Sequence, residues 1–148
     1  MALKTVRVEI KGTDDYIRAC KSVVEGGKRT VGQFLLEAAS MTHRFSVDLI
    51  RQGARSGKFY FKTKEKIPHQ ASEPGEPPKS DTGRLVSNIT LEKDGKSGYT
   101  VGSRKGAPWG FWLQFGTSKM VGTSKMGARP WLDVAFNKAM AAFMGKYK

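Results

Sequence analysis

The sequence predicts a single α+β domain in which an antiparallel β-sheet packs against a long central helix and a C-terminal helix, with a long proline-rich loop and a basic loop between elements. Three observations carry that reading. Apolar residues alternate with a two-residue period near residues 3, 59, 85 and 99. Two stretches, opening near Val31 and Pro130, repeat apolar residues at helical spacing. Three of the six prolines fall between residues 69 and 78, where neither a helix nor a central strand can pass. At 148 residues the chain has the length of one domain able to bury a core, and we assign residues 1–148 to it.

Near the start, Val6, Val8 and Ile10 face one way and Arg7 and Glu9 the other, which predicts a half-buried strand. Thr13-Asp14-Asp15 offers a cap and first-turn acids to a short helix carrying Ile17, Cys20 and Val24, with Gly26-Gly27 as its stop. Thr30-Val31-Gly32-Gln33 resembles a capping box. It opens the strongest amphipathic stretch, with Val31, Phe34, Ala38, Met41, Phe45 and Leu49 as the expected core stripe and an end near Gly53.

Phe59 and Phe61 alternate with Lys58, Tyr60 and Lys62, predicting a short strand whose aromatic face joins the core. Residues 69–78 predict a long exposed loop. Leu85, Ser87, Ile89 and Leu91 form one face of a further strand, and Asp94-Gly95 turns it into a return strand through Tyr99 and Val101. Trp109, Phe111, Trp112, Leu113 and Phe115 hold too much apolar area to stay solvated. The five residues from Gly116 to Met120 recur at 122–126, a tandem too short for a solenoid repeat and expected as a loop or hairpin. Pro130 suits a first helical position, and Leu132, Phe136, Ala139, Met140 and Phe143 form the last stripe.

Composition narrows function. No apolar run approaches a membrane span, and the first residues lack the apolar core of a secretory leader, so synthesis in a reducing cytoplasm and no membrane partner are expected. A single cysteine, Cys20, allows no internal disulfide and no thiolate-cluster zinc site. Its place on an apolar stripe predicts a buried structural thiol. His43 reads as a packed mid-helix residue, and Glu73 and Glu76 sit in a loop that does not fix their separation for acid–base work. Gly26-Gly27-Lys28-Arg29-Thr30 lacks the full phosphate-loop pattern. No catalytic residue, metal site or cofactor is therefore assigned, and an enzyme is not expected.

The charge points to partners. Against 13 acids stand 26 Lys and Arg, a net +13 that favours an acidic partner. Two segments, Asp48 to Glu65 and Asp94 to Asp133, hold only basic residues between their ends. Basic residues interleaved with Phe59, Tyr60, Phe61, Trp109 and Trp112 fit single-stranded nucleic acid. Their clustering equally fits core strands, and the core reading is preferred here.

Residues 69–78 (His69-Gln70-Ala71-Ser72-Glu73-Pro74-Gly75-Glu76-Pro77-Pro78), Asp81-Thr82-Gly83-Arg84-Leu85, Trp112-Leu113-Gln114-Phe115-Gly116-Thr117 and Ala128-Arg129-Pro130-Trp131-Leu132 form an ordered set. This set resembles the tail-component family of long-tailed bacteriophages, whose members are also called tail-completion, head-tail joining or neck proteins. Each piece has a scaffold reading: Asp81 and Gly83 as an Asx turn placing Arg84 and Leu85 at a strand start, Gly116 as a left-handed helix cap, and Pro130 as a helix start. The chain departs from the family pattern in its doubled Gly-Thr-Ser-Lys-Met and in Trp109-Gly110-Phe111, where a tyrosine-rich stretch is typical.

The resemblance implies a structural virion protein forming a ring, expected to be a hexamer, at the head–tail junction. Its implied partners are head-completion or connector proteins and the tail terminator or tail tube protein, with DNA passing through the lumen and assembly in the host bacterial cytoplasm. The expected assembly surface comprises Lys119, Lys125, Arg129, His69, Pro74 and Pro77, beside the motif turn Asp81, Gly83 and Arg84. The competing expectation is a stand-alone basic nucleic-acid-binding protein; a small hydrolase or toxin ranks last.

Overall fold

The structure is a computed structural model and describes residues 8–9, 14–24, 31–61, 68–95, 98–117 and 126–147. In chain order these form β1 (Val8–Glu9), α1 (Asp14–Val24), α2 (Val31–Gln52), β2 (Phe59–Phe61), β3 (Pro68–Gln70), α3 (Arg84–Ser87), β4 (Ile89–Asp94), β5 (Gly98–Ser103), α4 (Trp109–Phe115) and α5 (Leu132–Lys146). The class is α+β, with α2 packed on α5 and on the strands β4 and β5. One antiparallel sheet has the order β1-β5-β4. The strand expected near residue 59 does not join it, because β2 pairs with β3 in a separate two-stranded sheet. The Thr13 cap, the Gly26-Gly27 stop, Thr30 and the tandem loop at 118–125 lie outside the described residues, as does most of the expected first strand.

The expected hairpin is present. Gly95 turns β4 into β5 with φ 65°, and Leu91 faces Val101 across the ladder. The segment before it differs from expectation, since residues 84–87 make one helical turn and the strand begins only at Ile89. Local hydrogen bonding explains this. The Ser87 hydroxyl and the Asn88 amide both donate to the Arg84 carbonyl, at 3.1 and 2.8 Å, and such short polar side chains compete with a ladder for the backbone. Gly83 enters that turn with φ 75°, a conformation costly for any residue with a Cβ.

Helix α2 has the expected bounds but a different phase. Its buried residues are Phe34, Ala38, Ala39, Thr42, Ser46 and Ile50, whereas Val31 is exposed and Phe45 and Leu49 are half-buried. Hydroxyls are tolerated at the buried positions because Thr42 donates to the Ala38 carbonyl and Ser46 to the Thr42 carbonyl, at 2.9 and 2.8 Å. Helix α5 likewise buries Ala135 and Ala139 beside Leu132 and Phe143, and small residues on both helices permit close packing. At the far end Glu37 holds the last turn of α5, accepting from Lys146 and from the Tyr147 hydroxyl. Phe34, Phe143, Ala38 and Cys20 close a core cluster there. Burial pushes the Cys20 thiol above its ordinary pKa, which keeps it protonated.

The proline-rich segment is packed rather than free. Its Ser80 N–H and Lys79 ammonium donate to the Ile50 and Arg51 carbonyls, at 2.9 and 2.6 Å, so the loop caps the C-terminus of α2. Pro78 and Ser72 are buried. Upstream, the Gly57 and Ala71 backbones exchange bonds with Ala71 and Lys58, and His69 belongs to β3 rather than to a loop.

These phases set two expectations. Phe34→Ala should cost about 3 to 5 kcal/mol, and Phe45→Ala clearly less, in paired urea melts. Cys20 should react with a thiol reagent only under unfolding conditions, as measured by time-resolved labelling with and without denaturant.

Candidate interaction site

Helix α4 does not bury its aromatics as a slab. The residues it buries are Gly110 and Gln114, one turn apart, while Trp112 and Phe115 are exposed. A Cβ on Gly110 would lie 2.5 Å from the Ser103 hydroxyl, so only glycine allows α4 this close to β5. Across that contact the indole N–H of fully buried Trp131 donates to the Gly110 carbonyl at 3.2 Å.

Gln114 then fixes the start of α5. Its Oε1 accepts from the Trp131 and Leu132 N–H groups, each at 3.0 Å, and its Nε2 donates to Asp133 Oδ2 at 2.7 Å. Two N–H groups that a helix N-terminus leaves unpaired are thus satisfied from another helix. Pro130 accordingly sits two residues before the first helical position, not on it. Gly116 ends α4 with φ 75° and ψ −178°, which is not the expected left-handed cap, although its N–H does return to the Trp112 carbonyl at 2.7 Å.

Around this frame lies an open cavity of about 420 Å³. His69, Asp81, Gly83, Arg84 and Arg129 all line it, so five of the nine residues expected at an assembly surface or motif turn converge. His69 Nδ1 stands 3.5 Å from Asp81 Oδ1, an ion pair whenever the imidazole is protonated. Arg129 donates from Nε to the Ser72 carbonyl at 3.0 Å, and its own N–H reaches the Leu113 carbonyl at 2.6 Å. Arg84 lays its guanidinium 5.3 Å from the Trp109 ring centroid, a cation–π distance. Neither arginine is ion-paired to a carboxylate among the described residues. Pro74 and Pro77 lie outside the lining, though Pro74 packs against Gly127. Lys119 and Lys125 lie outside the described residues.

Tyr60, Ser72, Lys79 and Trp109 also line the cavity and were not singled out as site residues. Ser72 lies inside the first motif segment and Lys79 next to the motif turn, while Tyr60 and Trp109 stand among the aromatics interleaved with basic residues. Ser72 is fully buried, and its hydroxyl has no hydrogen-bond partner among the described residues. No group of three or more His, Cys, Asp and Glu stands ready for a metal among the described residues. His43 donates or accepts at the Ile89 carbonyl at 3.2 Å; since a carbonyl only accepts, Nε2 carries the proton there. No protein-family model, curated protein or solved structure matches the chain.

Because the Ser72 hydroxyl is buried and unpartnered, Ser72→Ala removes a desolvation cost and no bond. The variant should be as stable as the parent or more so by calorimetry. A loss above about 1 kcal/mol would show that the hydroxyl has a partner in solution.

Proposed function

We propose that this protein is a structural component of a bacteriophage virion, forming a homo-oligomeric ring at the head–tail junction between head-completion or connector proteins and the tail terminator or tail tube. The observation that carries this reading is the convergence of the four motif segments, which are far apart in the chain. Gly75 in the first donates to Ala128 in the last at 2.7 Å, and Arg129 returns to Ser72. His69 pairs with Asp81 of the second. Gln114 of the third caps the helix that follows the fourth. A set of motifs that is individually common gains weight when its members touch, since independent coincidences have no reason to share one frame.

Ring formation by head-to-tail contact needs two different surfaces on one subunit. The cavity face is our candidate for one of them. It presents Arg84 and Arg129, which have no acidic partner among the described residues, with His69 and the Pro74–Pro77 turn beside them, and Lys119 and Lys125 extend the set in sequence. Cations of this kind steer association with acidic surfaces more than they add affinity.

The purified protein should form rings with sixfold symmetry by negative-stain microscopy and native mass spectrometry. Particles assembled without it should accumulate as separate heads and tails. In a phage carrying the gene, Lys119→Glu with Lys125→Glu should also separate heads from tails while leaving the melt near the parent value. Joined, infectious particles formed in the absence of the protein would refute the role.

A further inference from the structure

Strand β2 is the place where the sequence and the structure disagree most. Phe59, Tyr60 and Phe61, expected in the core, are 60%, 53% and 72% exposed. Three successive exposed aromatics are a feature that a stable domain does not keep for packing. Alternation along the strand puts Phe59 and Phe61 on one face, about 6.8 Å apart, with Tyr60 on the other, towards the cavity. Opposite them in β3 stand Gln70 and Pro68, so among the described residues the rings lie on a small two-stranded ribbon.

Charge decides what such a platform suits. Arg51, Arg55 and Lys58 are exposed on the segment leading into β2. Among the described residues, Glu76 of the neighbouring turn accepts from the Ser56 hydroxyl and the Glu73 N–H, and Asp81 stands beside His69, the partner of Tyr60 on the other face. A protein partner anchored by apolar side chains seeks a pocket, which this pair of rings does not offer among the described residues. A single-stranded nucleic acid needs π-faces for its bases and nearby cations for its phosphates. We infer that the Phe59–Phe61 face of β2 binds single-stranded nucleic acid, stacking bases on the two rings and holding the backbone with Arg55, exposed on the segment that leads into the strand. This site is separate from the cavity and does not depend on the ring.

The test uses the purified full-length protein and a fluorescein-labelled oligothymidylate of about twenty nucleotides, followed by anisotropy. Binding should weaken steeply between about 50 and 200 mM salt. It should also exceed binding to a duplex of the same length. Phe59→Ala with Phe61→Ala should weaken it at least about fivefold per ring, with an unchanged melt because both rings are exposed. Phe59→Tyr with Phe61→Tyr should retain parental affinity. Absence of binding by the parent, equal affinity for the duplex, or an alanine variant that binds like the parent would each overturn the inference. So would an alanine variant that binds normally but loses its oligomer, which would assign the face to subunit contact. Ring formation by the same samples is read separately, so failure here leaves the ring proposal standing or falling on its own result.

Discussion

The frame on which the cavity is built depends on the side-chain amide of Gln114. It lies in the third turn-length segment of the motif set, on a helix of seven residues, yet it satisfies the N-terminus of a helix of fifteen. Helix N-termini ordinarily take a cap from their own flanking Ser, Thr, Asp or Asn. Here the residue before α5 is Trp131, which has no such oxygen, and no side-chain cap comes from it. The long-range amide replaces it and, by binding Asp133 as well, joins α4 and α5 into one unit. An aspartate at that position also complements the positive end of the helix dipole.

Consequences spread from that junction in two directions. Towards the core, Trp131 and Leu132 are held fully buried with Ile50, Leu85 and Val101, so the cap also positions the largest side chain of the interior. Towards the surface, the strand-like run before α5 is pinned to α4 through the Arg129 N–H and the Leu113 carbonyl, which aims the Arg129 side chain at Ser72. The proline-rich segment is thereby clamped from one side by Arg129 and Ala128 and from the other by the end of α2. Its rigidity comes from these bonds, not from its prolines alone.

Much of the frame was legible in sequence because it rests on long periodic stretches and strong turn signals. The extent of α2 and the turn and return strand of the β4–β5 hairpin are of this kind. The first half of the α2 stripe was legible in Phe34 and Ala38, which are buried as expected; its second half was not, because the buried residues there include Thr42 and Ser46, whose hydroxyl-bearing side chains carry little hydropathy signal. Helix α3 was missed because the alternation of Leu85, Ser87 and Ile89 imitates a strand, while Asn88 and Ser87 bind back to Arg84. The aromatic run 59–61 failed for a different reason: periodicity identifies a strand but says nothing of which face meets a core. At the cavity, His69, Asp81, Arg84 and Arg129 were named from motifs and Ser72 lay inside one of them, but Tyr60 and Trp109 reach it only through tertiary packing that no local pattern encodes.

The residues that hold the frame and those that face outward are largely different sets. Gly83, Gln114, Gly116, Pro130 and Trp131 are fixed by backbone conformation, capping or burial, and substitution at any of them disturbs the frame. Phe59, Phe61, Arg55 and Lys58 hold no other element in place, so the frame would survive their loss. A chain under selection only to fold has no use for two exposed phenylalanines beside cations, since each leaves apolar area in water that a polar residue would not. The exposure of these two rings is therefore an argument for contact with something outside the chain. The frame residues set the fold, and the exposed ribbon residues leave their side chains free of it.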